Sequence, residues 1–332
     1  MTVAVFHKLL AIFLTVGVGF VAGSAAWLGP RSDSGKSARL LSDVAFYVFV
    51  PALLFRTVVR LDFAALPWRT LLAFFGPAVV MLLLVHAWQS RRLRRAHRAQ
   101  PRYDAPSTPA LPAVRAISAS FGNSVQLGIP LAAALFGEAG LALHIPLVSL
   151  HALVLLTLPT VLVEVDLARA DRQSTPLSTL RSTVRNTLVH PVTLPVVLGA
   201  LWNLTGIGLH PVADEALAGL GQAVVPVCLV LIGLTMAAYG LRGNLQAALV
   251  ASALKLLLLP ALVLGVAHWG LGLTGVPLAV VVMMAALPTG SNALIFAQRY
   301  DSLAPEVTAT IVVSTVAFAA TGSLWLLVLT ML

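Results

Sequence analysis

Apolar segments of about 20 residues recur along the whole chain, and each is long enough to cross a lipid bilayer as an α-helix. Lipid offers the backbone no hydrogen-bond partners, so a spanning segment must be a helix or part of a closed barrel. Segment 1 has about 23 residues, which favours a retained helix over a secretory signal with its shorter apolar region. The sequence therefore predicts an all-α integral membrane protein with ten transmembrane helices. These segments 1 to 10 cover residues 6–28, 40–58, 69–90, 113–136, 140–163, 188–208, 214–238, 246–268, 276–297 and 307–331.

Composition excludes a water-soluble enzyme and several kinds of site. Of 332 residues, 59% are hydrophobic and 10% are charged, whereas soluble domains carry about 25% charged residues. Cys228 is the single cysteine, so neither a disulfide within the chain nor a cysteine-based metal site can form. Histidine spacings match no metal site either. We expect no cofactor and no metal.

The net charge of +9 is explained by membrane topology rather than by nucleic-acid binding. Loops that follow the odd-numbered segments, counted with the segment ends beside them, hold 16 of the 21 Lys and Arg residues, and the opposite side holds four. Cytoplasmic loops carry this excess in membrane proteins. The bias predicts a multi-pass protein of the plasma or inner membrane, with cytoplasmic loops 91–112 and 166–187 and both termini external. The basic loop 91–112 then contacts lipid headgroups, and no nucleic-acid partner is expected.

The polar stretch 166–187 divides the chain into residues 1–165 and residues 188–332, with five segments each. Halves with an odd number of helices, if homologous, lie in opposite orientations, which is the inverted repeat of many secondary transporters. Matching prolines in matching segments favour this arrangement. They are Pro51 in segment 2 with Pro226 in segment 7, and Pro77 in segment 3 with Pro260 in segment 8.

Segments 4 and 9 carry polar, Gly- and Pro-containing clusters near mid-membrane. Such residues free backbone groups that lipid cannot satisfy, so a break must face protein or water. Two interrupted segments at matching places in the two halves point to a transport site. The alternative is a pair of local kinks whose Ser and Asn side chains bond within their own helix. The clusters contain Gly122, Asn123, Ser124 and Gln126 in segment 4, and Pro288, Thr289, Gly290, Ser291 and Asn292 in segment 9.

These clusters resemble the signatures of a known family. Residues 122–131 with 135–137 resemble the segment 4 signature of the auxin efflux carrier family, whose plant members are the PIN proteins. Residues 287–293 resemble its segment 9 signature, and further matches in segments 2, 7 and 8 extend the resemblance over essentially the whole chain.

The resemblance implies two inverted five-helix repeats, with scaffold and transport subdomains as in bile acid symporters. Broken helices 4 and 9 would cross at mid-membrane, and elevator-type alternating access would carry a small organic anion. Two features depart from the plant pattern: Gly122 stands where plant members have a crossover proline, and the central loop is short. Bacterial relatives are often described as malonate or malate carriers.

The positions of charged and titratable residues limit which transport mechanisms the sequence supports. All 12 carboxylates lie at or near segment ends, which argues against an antiporter built on paired mid-membrane acids. His151, central in segment 5, either donates to a carboxylate substrate and titrates, or is a core histidine bonded to a backbone carbonyl. His144, His190 and His210 are expected near the interfaces. Lys255 is either a support charge for the site or a structural cation.

The sequence thus predicts a secondary transporter of the efflux type, and no enzyme, for a small mono- or dicarboxylate. The alternative is a sodium-coupled organic anion symporter of the bile acid type. A membrane-embedded enzyme would need paired aspartates, a zinc motif or Gly-x-Ser-x-Gly, which the sequence lacks. The substrate, the coupling ion, the transport direction and the choice between monomer and homodimer stay open. The predicted binding residues are the nine residues of the two clusters with His151, supported by Lys255.

Overall fold

A computed structural model describes residues 3–25, 27, 34–60, 66–99, 109–170, 191, 193–239 and 244–332. In these ranges the chain is helical apart from turns, short connections and one isolated β-bridge. The helices are α1 (Val3–Ser24), α2 (34–59), α3 (Trp68–Ala99), α4 (Leu111–Ser120), α5 (124–136), α6 (138–170), α7 (Thr193–Leu204), α8 (Pro211–Tyr239), α9 (Leu245–Gly270), α10 (Gly275–Ala286), α11 (Asn292–Arg299) and α12 (Ala304–Thr330).

A helix, or a pair of helices, lies at each predicted apolar segment. Segment 4 becomes α4 and α5, and segment 9 becomes α10 and α11. Within the described residues, six helical stretches are long and apolar enough to cross a membrane. Their outer faces carry large exposed hydrophobic side chains, such as Leu84 on α3, Leu249 on α9 and Val316 on α12. Such surfaces are stable only against lipid, so this is a membrane protein.

One boundary lies where the sequence places it, between segments 4 and 5. Gly137 has φ 59° and ψ −148° and separates α5 from α6, so this glycine provides a left-handed turn that other residues rarely adopt. Another boundary differs, because helix α6 continues to residue 170, into the stretch predicted as the linker. Residues 171–187 of that linker, and residues 100–108 of the basic loop, lie outside the described part of the chain.

Three π-helical turns each end two residues before a proline. They are Ala45–Phe49 before Pro51, Ser124–Gly128 before Pro130 and Leu254–Leu258 before Pro260. Proline has no N–H to donate and its ring crowds the carbonyl four residues earlier. The wider turn relieves this. In two of the three turns the N–H just past the turn donates five residues back: Val50 to Ala45, and Leu259 to Leu254.

Helix α1 packs against α8 through backbone contacts that glycine permits. A Cβ on Gly19 would lie 2.2 Å from the Val230 carbonyl oxygen, and one on Gly233 would lie 2.1 Å from the Val16 carbonyl oxygen. Gly19 and Gly23 form a small-x-x-x-small pair on the face of α1 that meets α8. Helices in lipid associate by such close packing because burial of apolar surface drives them little there.

We expect Gly19→Ala to lower the thermal stability of the purified protein, because the new methyl group must displace the backbone of α8. Overpacking of this kind costs about 1–3 kcal/mol. The measurement is the midpoint of thermal unfolding in detergent. Gly17→Ala is the matched control, since a Cβ at Gly17 meets nothing within 4 Å. Equal midpoints for the two variants would contradict the packing described here.

Candidate functional site

The two broken segments cross at a single point in the protein interior. Helix α4 ends at Ser120 and α10 ends at Ala286, and the extended residues that follow run antiparallel past each other. Gly122 and Thr289 form the β-bridge at the crossing. The crossing therefore joins the two halves of the chain through their backbones.

Backbone groups freed by the two breaks pair with each other. The Asn123 N–H donates to the Pro288 carbonyl at 2.8 Å, and the Gly290 N–H donates to the Phe121 carbonyl at 2.9 Å. A Cβ on Gly290 would lie 2.7 Å from the Gly122 carbonyl oxygen, so this close approach requires glycine. The crossing meets the requirement that non-helical backbone inside a membrane be satisfied by protein.

Side chains from two other helices accept the remaining N–H groups of the bridge. The Gly122 N–H donates to Nε2 of His151 on α6 at 3.1 Å. The Thr289 N–H donates to Oγ of Ser314 on α12 at 3.1 Å. The Thr289 hydroxyl in turn donates to the Ser118 carbonyl at 2.9 Å. Both bridge residues are thus held on the side away from their partner strand.

His151 is a packed residue with one nitrogen committed to the crossing. Because Nε2 accepts a hydrogen bond, the imidazole is neutral and carries its hydrogen on Nδ1. The ring lies 4.5 Å from the Phe121 ring and 5.7 Å from the Phe74 ring, measured between centroids. Nδ1 is buried and has no hydrogen-bond partner among the described residues. Protonation of Nε2 would remove the lone pair that Gly122 uses.

Lys255 lies beside the crossing, within the π-helical turn of α9, and is 1% exposed. Its ammonium donates to the Ala285 carbonyl at 2.5 Å, in the last turn of α10. A cation is stabilised at this end of a helix, where unsatisfied carbonyls give a partial negative charge. A Cβ on Gly122 would lie 3.4 Å from Nζ, so the ammonium also faces the bridge.

A cavity of about 70 Å³ opens next to the crossing. Asn123 and Ser291, which precede α5 and α11, form part of its wall, together with Thr315 of α12. The opposite wall is apolar and comes from α1 and α8, including Val16 and Ile232. The Asn123 side chain makes no capping bond to α5, so its amide is available to a ligand.

Comparison with known proteins identifies the family. The family model described as "Membrane transport protein" matches residues 4–326. The chain belongs to the auxin efflux carrier family. A protein named "Uncharacterized transporter" from Methanothermobacter thermautotrophicus is 24% identical over 329 residues. That alignment covers 97% of this chain and 98% of the archaeal protein.

Most of the predicted site residues meet at the crossing, but their roles there differ. Gly122, Asn123, Pro288, Thr289 and Gly290 form it through their backbones, and Ser291 reaches the cavity.

The remaining predicted residues lie around the crossing. The Asn292 side chain accepts a weak bond from the Cys228 thiol at 3.8 Å. Ser124 offers its carbonyl to Nε2 of His144 at 3.0 Å. The side chain of Gln126 lies outside the described part of the structure.

Sequence reasoning missed several residues that support the site. His144, expected near an interface, is 2% exposed and bonds the π-helical turn of α5. Its spacing of seven residues from His151 puts both on one face of α6, which is a signal that could have been used. No sequence pattern pointed to a role for Ser314 and Thr315 in the site, because hydroxyl side chains are common in membrane helices and usually bond the backbone of their own helix.

A buried ion pair was also missed. Arg115 of α4 makes a bidentate contact with Glu306 of α12, with N–O distances of 2.8 and 2.9 Å. Glu306 is 6% exposed although it lies in the first turn of its helix. The pair ties α4, which leads into the crossing, to the helix that carries Ser314.

We expect Ser314→Ala to destabilise the protein by about 1–3 kcal/mol, because it leaves the Thr289 N–H buried without an acceptor. The measurement is the free energy or midpoint of unfolding of the purified variant. Ser323→Ala is the matched control: Ser323 is on the same helix, is exposed and bonds only the Ala319 carbonyl in the described part of the chain. If both variants unfold at the same midpoint, Ser314 does not hold the crossing.

Proposed function

We propose that the protein is a secondary transporter of the efflux type that moves a small mono- or dicarboxylate across the cell membrane by alternating access. The observation that most supports this proposal is the cavity, where residues of the two polar breaks face the apolar wall of α1 and α8. Transporters of this type bind substrate near mid-membrane, at the interface of two repeats and at half-helix ends.

The chemistry of the cavity supports an anionic substrate. Helices α5 and α11 begin at the cavity, and a helix N-terminus presents unsatisfied N–H groups and a partial positive charge. Asn123, Ser291 and Thr315 are the polar residues that line the cavity, and no Asp or Glu lines it. A carboxylate is the ligand that such an environment favours. Lys255 adds a positive charge behind the crossing without lining the cavity.

The proposed binding residues fall into two groups. Asn123 and Ser291 contact substrate from the cavity wall. The other residues position Asn123 and Ser291. His151 belongs to this second group because its Nε2 accepts a hydrogen bond from the Gly122 N–H. The full set is Gly122, Asn123, Ser124, Gln126, His151, Pro288, Thr289, Gly290, Ser291 and Asn292, with Lys255 as the support charge.

Matching contacts support an inverted repeat of two five-helix halves. The hydrogen bonds of the crossing are related by a local two-fold about the Gly122–Thr289 pair: the residue after each bridge residue donates to the residue before the other. His151 in the fifth segment and Ser314 in the tenth accept the corresponding N–H groups.

Glycine contacts repeat in the same way. Gly19 of segment 1 faces the Val230 carbonyl, four residues after Pro226. Gly199 of segment 6 faces the Phe55 carbonyl, four residues after Pro51, where a Cβ would lie 3.0 Å away. Two contacts between the halves, at the same offset from matching prolines, are what two copies of one fold would produce.

The same contacts support an elevator-type movement of two groups of helices. Glycine contacts and the Arg56–Asp214 ion pair hold α1, α2, α7 and α8 together as the scaffold. The crossing binds α4, α5, α10 and α11 to α6 and α12 as the transport unit. Between them lies an apolar wall, which resists sliding little because it has few directional bonds.

An ion pair between Arg39 of α2 and Asp301 after α11 links the two groups at the predicted cytoplasmic side. Arg299 lies over the rings of Phe46 and Tyr47 at the same place. We infer that access is closed on that side in this conformation.

Transport by purified protein in liposomes tests the proposal. We expect uptake of a radiolabelled carboxylate, from a panel of mono- and dicarboxylates, and loss of uptake in Asn123→Leu. Ser120→Ala is the matched control, since Ser120 lies three residues away and bonds the Ala116 carbonyl within α4. Full activity of Asn123→Leu would remove its amide from the site.

Sodium separates the proposal from the alternative, a sodium-coupled symporter. Side-chain oxygens at the breaks could in principle bind a cation, but the Thr289 hydroxyl and the Ser124 carbonyl already make bonds within the protein. We therefore expect carboxylate binding to be unchanged when sodium is replaced by choline. A strict sodium requirement would favour the symporter instead.

Cysteine labelling tests the proposed sidedness, in which the termini are external and loops 91–112 and 166–187 are cytoplasmic. In a Cys228→Ser background, Gly208→Cys between α7 and α8 should react with an impermeant thiol reagent added to intact cells. Arg94→Cys and Arg169→Cys should react only after the membrane is permeabilised. All three positions are exposed in the structure. The reverse labelling pattern would overturn the orientation and the charge argument behind it.

A further inference from the structure

A second cavity, separate from the crossing, lies where the end of α3 meets the beginnings of α4 and α9. It has a volume of about 200 Å³ and is lined by polar and basic groups, including Gln89, Arg92, Arg115 and Asn244. Its lining contains no Asp or Glu. By the charge bias of the loops, this end of the three helices faces the cytoplasm.

The basic groups of this cavity differ in what they can still bind. Arg115 is neutralised by Glu306 and donates a further bond from Nη1 to the Gln89 side-chain oxygen at 3.1 Å. Arg92 pairs with no carboxylate among the described residues. Its guanidinium lies over the Trp88 ring, 5.6 Å from the centroid, which holds it at the cavity.

Gln89 gives the cavity an amide donor. The side chain is 7% exposed, and its oxygen is held by Arg115. Its NH₂ group therefore points away from Arg115 and can donate to a ligand that accepts hydrogen bonds. Together with Arg92, this donor defines a site for an anion.

The surroundings of the cavity indicate that the anion belongs to a lipid. Trp88 and Val250 line the cavity and are 46% and 42% exposed. Leu84 continues the apolar surface of α3 towards the membrane interior, and Leu249 adds to the apolar surface of α9 beside Val250. Tryptophan is typical of the membrane–water interface. Basic pockets between helices on the cytoplasmic side bind the headgroups of anionic lipids.

We propose that this cavity binds the phosphate group of an anionic phospholipid, with Arg92 and Gln89 donating to the phosphate oxygens and the acyl chains lying against α3 and α9. Arg–phosphate contacts are among the strongest hydrogen bonds in proteins because donor and acceptor are both charged. The lipid would tie together α3, α4 and α9, all of which belong to the proposed transport unit or pack against it.

The test is a titration of the delipidated full chain in neutral detergent, followed by thermal unfolding. Dioleoyl phosphatidylglycerol should stabilise the protein saturably, and dioleoyl phosphatidylcholine should do so far less. We expect Arg92→Ala to weaken the phosphatidylglycerol affinity about tenfold, as loss of one charge-assisted contact does. Arg94→Ala is the matched control, because Arg94 is exposed on the same helix end and does not line the cavity.

A second variant addresses the amide donor of Gln89. Gln89→Glu keeps an oxygen for Arg115 but replaces the NH₂ donor by a negative charge, so it should abolish the phosphatidylglycerol effect without loss of folding. Equal affinity of the Arg92 and Arg94 variants would overturn the proposal in favour of unspecific attraction to a basic helix end. Equal stabilisation by sodium phosphate at the same concentrations would overturn the lipid assignment and leave a site for the free anion.

Discussion

Lipid cannot hydrogen-bond a peptide group, and the arrangement around the crossing follows from that constraint. Each break frees N–H and C=O groups, and each break supplies the partners that the other lacks. What the two strands cannot supply comes from His151 and Ser314, placed on the helices that follow each break. The positions of α6 and α12 relative to the crossing are therefore fixed by hydrogen bonds and not by packing alone.

Lys255 extends the same argument to charge. Two half-helices, α4 and α10, end at the crossing and direct the negative ends of their dipoles to one small volume. A single ammonium, bonded to the Ala285 carbonyl, counters that negative potential. The positive ends of α5 and α11 are left for the cavity. Segregation of the two signs is how the proposed site, which has no carboxylate among its lining residues, would favour an anion.

Features of this protein that depend on neighbouring residues in the sequence are predictable from it, and features that depend on distant residues are not. Apolar length and the Gly–Pro–Asn clusters are local signals, so the helices and both breaks were expected at the residues where they occur. Family signatures added the crossing itself. The roles of His151 and Ser314 could not be predicted, because an acceptor for a particular N–H is defined only when two distant helices are brought together.

Local backbone geometry limited the prediction as well. The boundary between segments 4 and 5 was expected where Gly137 lies, but the left-handed turn at this glycine was not, since a single glycine in an apolar run also occurs inside helices. The burial of His144 was misjudged for a related reason: its depth follows from where α6 begins, and the ends of helices are the least certain part of a sequence-based assignment.

The hydrogen bonds that form the crossing run mainly between main-chain atoms, whereas the cavity wall is made of side chains. Asn123 and Ser291 contribute their peptide groups to the break and their side chains to the cavity. Substitution at these two positions, or at Val16, Ile232 and Thr315, changes the surface offered to a ligand while the main-chain pairing stays available. With such an architecture, related carriers can differ in the molecules they bind while they keep the same fold.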